Sequence, residues 1–276
     1  MPGTTRPRHP PTRSSTSSMA NRAAAERSGA SAKALANGVT VLQALVESNE
    51  PVSASEIARR VGLHQSSVSR ILSTLAEAGY ARKTGYRSFA PDFGVLSLGA
   101  AAITQFRLAH RPRKAMEDAA RLARGAAVSL SVLWRGEVIY FLRTRGGDQP
   151  VLFNADGWPL HLSAPGLRLL LELPENEALE LLRESRKKYG WERPESPAPQ
   201  SEEEALARGR ELLAHECLIL DGWLKPGHMS SAITVDAPGE PPVALSVTGR
   251  TELADPDTIR LWLHSFRRSV EQALSD

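Results

Sequence analysis

The side chains of this chain best placed for chemistry lie between residues 64 and 74, which read His64-Gln65-Ser66-Ser67-Val68-Ser69-Arg70-Ile71-Leu72-Ser73-Thr74. Val68, Ile71, Leu72 and Leu75 recur at i, i+3, i+4 and i+7, the spacing of one buried helical face. The opposite face is then Gln65, Ser66, Ser67, Ser69, Arg70, Ser73 and Thr74. One amide, one guanidinium and several short hydroxyls let a helix approach a phosphate backbone closely and still offer hydrogen bonds to base edges. His64, just before this helix, either touches the same partner or is a solvated turn residue. The plainer alternative is a serine-rich surface on an ordinary three-helix bundle.

The flanking sequence supplies the elements such a helix needs. Ser53 precedes Glu56 by three residues, a capping box that starts a helix near Ala54. Ile57, Ala58 and Val61 form its apolar stripe, and Gly62 supplies the left-handed residue that ends it. Gly79 ends the second helix. Residues 81–84 and 86–90 read as two short strands around Gly85, carrying Arg82, Lys83, Tyr86 and Arg87. Leu35, Val39, Leu42 and Leu45, with Val41 and Val46, give a preceding helix. Two short helices, a tight turn and a basic hairpin make a winged helix-turn-helix over 31–91. Its expected partner is double-stranded DNA, contacted by His64, Gln65, Ser66, Ser67, Ser69 and Arg70 on the helix and by Arg82, Lys83, Tyr86 and Arg87 on the wing.

Charge agrees with this placement. Residues 1–124 carry 18 Lys and Arg against 8 Asp and Glu, whereas residues 125–276 carry 16 against 23. The overall +3 conceals two halves of opposite sign, and only the first suits a polyanion. At 276 residues and 41% hydrophobic content the chain has material for two folded domains. No window approaches the roughly 18 uncharged apolar residues of a membrane span. The single cysteine, Cys217, excludes an internal disulfide framework and points to a reducing cytoplasm, where a small buried side chain is its expected role. Seven histidines without paired spacing give no metal site, and no cofactor is expected. Residues 1–30, rich in Pro, Ser, Thr and Arg, read as a disordered basic tail. Within it, residues 1–18 are either a basic arm or an extension ahead of a start at Met19.

Beyond the wing, residues 92–124 read as a linker helix and a second helix interrupted by Pro112. From Ala127 the period changes to that of strands, with a hairpin turn at Arg135-Gly136. Residues 160–173 and 175–188 read as helices, and Ser201 with Glu204 caps another that runs to about His215. Residues 230–236 and 242–248 are strands around Pro238-Gly239. Asp255 and Pro256 open a last helix that buries Ile259, Leu263, Phe266 and Val270. Strand pairs with helices between them define an α+β domain over 125–276, with a mixed and mostly antiparallel sheet.

The run EIARRVGLHQSSVSRILSTLAEAGY, the stretch PLHLSAPGLRLLLELP at 159–174, and GHMSSAITVD at 227–236 with PPVALSVTG at 241–249 resemble the IclR family of bacterial transcriptional regulators. The likeness covers about residues 33–274. It implies a winged helix-turn-helix, a linker helix that dimerises it, and a GAF-like domain that binds a small effector and builds homodimers or homotetramers. It also implies an effector cup walled by three segments. His161, Leu162, Ser163, Ala164 and Gly166 match the family's helix-opening run, where backbone N–H groups are expected to hold an anionic end. Ser230 matches a position often occupied by cysteine. Ser246 and Thr248 match hydroxyl-bearing positions, and being two apart they share one strand face. Asp221 is followed here by Gly222, Trp223 and Leu224 in place of the family's acidic run, and Pro165 replaces a non-proline residue. Trp223 implies a larger or flatter effector, a carboxylic acid or an aromatic.

His161, Ser163 and Asp221 are the residue types of a hydrolytic triad, yet Ser163 lies in no Gly-x-Ser-x-Gly elbow, so no enzyme is expected. Trp134, Trp158, Trp191 and Trp262 are expected in cores or lids, like Trp223. The expected function is DNA-binding transcriptional regulation, as repressor or activator, modulated by the effector. The operator of a two-fold dimer is expected to be an imperfect palindrome. The alternative is a DNA-binding protein whose C-terminal domain only oligomerises, its pocket degenerate.

Overall fold

A computed structural model describes residues 15–145, 158–191 and 197–275. The chain divides into two compact units, Met1–Ala102 and Ile103–Asp276. In the first, α1 (Ser15–Val46) is followed by β1 (Val52–Ser53), α2 (Ala54–Val61), α3 (Gln65–Glu77), β2 (Ala81–Lys83) and β3 (Ser88–Pro91). Then comes α4 (Phe93–Gln105), which runs across the unit boundary.

Local signals set most of these limits. Ser53 Oγ accepts from the Glu56 N–H at 3.2 Å, an N-cap contributing about 1 kcal/mol, and Gly62 closes α2 at φ 66°. The Glu56 carboxylate does not complete the capping box. It is bound by Arg59 and Arg60, which hold its carboxyl below the usual range. Gly79, at φ 79°, closes α3: Tyr80 N–H reaches Leu75 O at 2.8 Å and Gly79 N–H reaches Ala76 O at 3.1 Å. The core of the unit joins Val41, Ala44 and Leu45 of α1 with Ile57, Val68, Leu72 and Phe89.

Two expectations change here. The buried stripe of α1 is Val41, Ala44 and Leu45, whereas Leu35 and Val39 are 72% and 49% exposed. Val41 and Leu45 belong to the expected stripe, and packing against α2 and α3 decides that Ala44, not Leu35 or Val39, completes it. Second, α1 begins at Ser15, inside the segment read as a structureless tail; an alanine-rich stretch around residues 20–25 favours helix and joins the apolar stripe without a break. Residues 1–14 lie outside the described residues.

In the second unit, α4 ends at Gln105, and the extended backbone of Phe106 (φ −85°, ψ 101°) separates it from α5 (Arg107–His110) and α6 (Arg113–Leu122). Residues 92–124 thus form three helices, not two. Arg107 of α5 and Arg111 at its C-terminal cap donate to the Leu274 carbonyl near the end of the last helix, where cations are favoured. Met116, Ala119 and Ala120 of α6 enter the core of this unit, so α5 and α6 fold with it.

The five-stranded sheet has the order β5-β4-β8-β7-β6 and is antiparallel throughout. Its strands are β4 (Ala127–Trp134), β5 (Glu137–Arg145), β6 (Leu218–Asp221), β7 (His228–Val235) and β8 (Val243–Arg250). β6 has no counterpart in the sequence reading. The β4–β5 turn has positive φ at Arg135 and Gly136, the conformation that matches strand twist in a two-residue hairpin. Helices α8 (Glu175–Tyr189), α9 (Glu202–Leu212) and α10 (Pro256–Ser275) complete the unit, with α7 (Ala164–Leu170) preceded by a 3₁₀ turn at Leu160–Leu162.

Strand alternation gives the sheet two faces. One carries Val128, Leu130, Leu142, Met229, Ile233, Leu245 and Val247 and packs with α6 and with Ile259, Leu263, Phe266 and Val270 of α10. The other faces α7. There Arg168, 5% exposed, donates to Glu216 O at 3.1 Å, to Thr234 Oγ1 at 3.2 Å and to Glu172, and so pins α7 to β7. Cys217 is buried, and burial pushes its thiol up to about 11, which keeps it an inert core side chain.

Candidate DNA interface and effector floor

Helix α3 is held by Val68 and Leu72, both fully buried, and this fixes which way its other face points. Gln65, Ser66, Ser69, Arg70 and Thr74 are exposed, and Ser67 and Ser73 half-buried. His64 is the N-cap: its Nδ1 accepts from the Ser66 N–H at 3.3 Å and lies 2.7 Å from Ser66 Oγ. That role anchors the start of the helix, while the ring remains exposed beside Gln65.

The wing is the β2–β3 hairpin, with Ala81 opposite Pro91 and Lys83 opposite Phe89. Arg82, Lys83, Tyr86 and Arg87 are all exposed. Tyr86 and Arg87 sit in the turn, where the sequence reading placed strand, and the Arg87 guanidinium lies 5.2 Å from the Tyr86 ring centroid. A third strand, the two-residue β1, pairs with β3 at Val52–Phe89 and Ser53–Ser88 and ties the wing to the start of α2. A cation on so exposed a turn is expected to meet phosphate and not base edges. Arg87→Ala is therefore expected to weaken binding to all DNA sequences alike and to reduce the slope of log affinity against log salt by about one. Titrations of specific and random duplexes at several salt concentrations would check this, and a loss confined to one sequence would contradict it.

In the second unit, the α7 face of the sheet is rich in hydroxyls. Ser129 and Ser246 are directly opposed, as are Ser230 and Thr248, and Ser131 lies opposite Ala244. Ser129, Ser131 and Ser246 are buried. The shared face inferred for Ser246 and Thr248 is present. Ser246 Oγ reaches Ser129 O only at 3.5 Å, and the Ser230 and Thr248 hydroxyls are 3.4 Å apart. These are long for O–H···O bonds, whose usual length is about 2.7–2.8 Å.

The remaining residues of the expected cup are placed differently. Ser163 is the N-cap of α7, and its Oγ accepts from the Gly166 N–H at 3.1 Å and pairs with Tyr140 OH at 2.8 Å. The donors expected to hold an anion are therefore engaged by the helix's own cap. Gly166 is needed for close packing, since a Cβ there would lie 2.7 Å from Val138 Cγ2. Ala164 is buried in the core beside it. His161, 1% exposed, stacks on Trp191 with centroids 3.8 Å apart and lines a cleft of about 460 Å³ with Pro159, Leu162, Arg186 and Tyr189. Trp223, 2% exposed, belongs to the core, with the Arg208 guanidinium 4.9 Å from its ring centroid. Asp221 pairs with Met229, so it alternates to the face opposite Ser230, and it accepts from Thr251 Oγ1 at 2.9 Å. Neither Trp223 nor Asp221 reaches the hydroxyl face as an open wall. His161, Ser163 and Asp221 are not assembled as a triad: Ser163 is bound to Tyr140 and Gly166, and Asp221 is on the other face.

Residues that the sequence reading missed are Ser129, Ser131, Tyr140, Arg143 and His228. His228 precedes Ser230 on the same face, and its buried Nδ1 has no hydrogen-bond partner. Burial pushes the Tyr140 phenol above its ordinary range, against the pull of the Ser163 bond and the Arg143 charge. Only strand register brings these positions together, and the sequence carries no local sign of it.

A winged helix-turn-helix with an exposed polar α3, followed by an α+β unit with a hydroxyl-lined sheet face, defines a two-part DNA-binding protein. Residues 34–85 match the IclR helix-turn-helix domain. The fold is shared with an IclR family transcriptional regulator from Brucella abortus, 23% identical, covering 88% of this chain and 90% of that one at a TM-score of 0.70. An IclR regulator from Alicyclobacillus acidocaldarius is 19% identical over 88% and 98% of the two chains, TM-score 0.68. An IclR homologue from Microbacterium hydrocarbonoxydans, solved with 4-hydroxybenzoate, is 22% identical over 88% and 99%, TM-score 0.68. No curated protein matches the chain. Residues 34–85 are thus an IclR-type helix-turn-helix domain, set in a chain with the fold of IclR-family transcriptional regulators. Among the described residues no helix is long and apolar enough to cross a membrane, and no cluster of His, Cys, Asp or Glu is suited to a metal ion.

Proposed function

We propose that the protein is a ligand-responsive transcriptional regulator that binds operator DNA as a two-fold dimer through α3 and the wing. The observation that carries the DNA reading is the exposed Gln65, Ser66, Ser69 and Arg70 face of a helix whose opposite side is locked by Val68 and Leu72. The dimer reading is supported by α4, where Phe93, Leu96 and Leu98 are all exposed and no residue is buried. Its operator is then an imperfect palindrome with half-sites roughly 34–36 Å apart, or a multiple of that.

The ligand reading is supported by the hydroxyl face. Hydroxyls away from bulk water normally find close partners, and those of buried Ser246 and of half-buried Ser230 and Thr248 do so only at 3.4–3.5 Å, which leaves them capacity to bind a small polar molecule. The 4-hydroxybenzoate of the Microbacterium protein is one aromatic acid to try. A purely oligomerising second unit is the competing reading, favoured by the internal use of Ser163 and the Gly166 N–H. Mobility shifts on promoter DNA, with and without ligands found by thermal-shift screening, separate the two. Ser246→Ala with Thr248→Val is expected to abolish the ligand's influence and leave ligand-free DNA affinity within about threefold, because a ligand shifts a two-state equilibrium only by its differential affinity. A double variant that loses DNA binding outright, or still responds normally, would remove the hydroxyl face from the mechanism.

A further inference from the structure

Ser, Thr, Asp and Asn are the residues that usually accept from the first N–H groups of a helix. α3 starts instead with a histidine. His64 has extended backbone (φ −69°, ψ 136°), and its Nδ1 accepts from the Ser66 N–H at 3.3 Å. That bond decides the tautomer: Nδ1 faces a donor and so carries no hydrogen, which leaves the hydrogen of the neutral ring on Nε2. Polarity then passes to Ser66. Its Oγ lies 2.7 Å from the same Nδ1, so the hydrogen between them is the serine's, and the hydroxyl has only lone pairs left to offer outwards.

Both side chains are exposed, and Nε2 has no partner among the described residues. The start of α3 therefore presents one fixed donor next to one fixed acceptor. In a helix-turn-helix the start of the second helix is where side chains reach base edges. The first turn of α3 holds no aspartate or glutamate, and a neutral ring caps it without the negative charge that a carboxylate would set against phosphate. In the major groove adenine shows an acceptor, N7, beside a donor, its N6 amino group, whereas guanine shows two acceptors. Guanine would satisfy His64 and leave the Ser66 oxygen facing O6.

We propose that His64 is a specificity-determining residue as well as a helix cap, and that with Ser66 it selects an adenine in each half-site of the operator. Nε2–H donates to N7, and Ser66 Oγ accepts from the N6 amino group. This rests on the DNA-binding reading given above. The bond that caps the helix is also the one that sets which base the pair fits.

The test begins with selection of binding sites from random duplexes by the full chain, followed by anisotropy titrations of the selected duplex. The wild-type consensus is expected to hold an adenine in each half-site whose replacement by 7-deazaadenine, which lacks the N7 acceptor, weakens binding about tenfold. That is the size of two neutral hydrogen bonds lost from a palindrome. His64→Ser keeps a capping oxygen and loses the outward N–H, so it should melt with the wild type, bind the consensus about tenfold more weakly and lose nothing further with 7-deazaadenine. Ser66→Ala keeps the cap acceptor and should bind guanine as well as adenine at that position. The proposal is overturned if no consensus adenine responds to the 7-deaza substitution, if His64→Ser binds as the wild type does, which is the result for a residue that only caps, or if Ser66→Ala still rejects guanine. Any of these with a wild-type consensus intact sinks only the His64 assignment, whereas a wild type that selects no consensus sinks the regulator reading and this proposal with it.

Discussion

Gln65→Ala and Arg70→Ala are each expected to weaken operator binding by about 1–3 kcal/mol per half-site, which over two half-sites is roughly 30-fold to 2 × 10⁴-fold. Both side chains are exposed on α3 and neither supports the core, so the folded state should be unaffected. An amide and a guanidinium are the groups that make paired hydrogen bonds to adenine and guanine edges. Their loss should therefore relax sequence preference as well as affinity, unlike the uniform loss expected for Arg87. Anisotropy titrations with wild-type and base-substituted duplexes at one fixed salt concentration measure both. Wild-type affinity and footprint in both variants would defeat the assignment of α3 as the reading helix.

The second large effect is structural. Gly94 is the second residue of α4, and its N–H donates to Gly79 O at 2.9 Å. A Cβ on Gly94 would sit 2.4 Å from Gly79 O and 2.9 Å from Gly79 C. These are backbone atoms, and Gly79 is fixed by the bonds that close α3, so the clash has no soft side chain to absorb it. Gly94→Ala is expected to destabilise the first unit by about 3 kcal/mol, a fall of roughly 10–20 °C in its melting temperature. Gly99→Ala, on the same helix with nothing within 4 Å of the added Cβ, is the control. It should be neutral or stabilising by up to about 1 kcal/mol through helix propensity. Thermal circular dichroism of both variants decides the matter, and equal melting temperatures would show that the α3–α4 contact can yield.

The features legible in the sequence are those whose cause lies within a few residues. Ser53, Gly62, Gly79 and Asp255 act on backbone groups one to five positions away, so their caps could be read directly. Asp255 indeed accepts from the Asp257 and Thr258 N–H groups at 3.0 Å. The stripe of α3 depends only on helical period, and its polar face followed from it. Ser246 and Thr248 could be assigned to one face because strand alternation is equally local.

What failed were statements about partners. Of the stripe expected on α1, Val41 and Leu45 are buried while Leu35 and Val39 are exposed, because only the packing of α2 and α3 decides which part of α1 is covered. β1 and β6, of two and four residues, are strands by virtue of their neighbours and carry no pattern long enough to see. Asp221 sits next to Leu220 in sequence, yet alternation puts it across the sheet from the hydroxyls it was expected to join. The Ser163 hydroxyl looked available until the fold brought Tyr140 to within 2.8 Å of it. The sequence by itself determined most of the elements, their caps and the polar face of α3, because those forces act along the chain. The tertiary structure decided which residues share the hydroxyl face of the sheet, because the bulge at Phe141 of β5 and the register of five strands are set by pairing between segments up to about 120 residues apart.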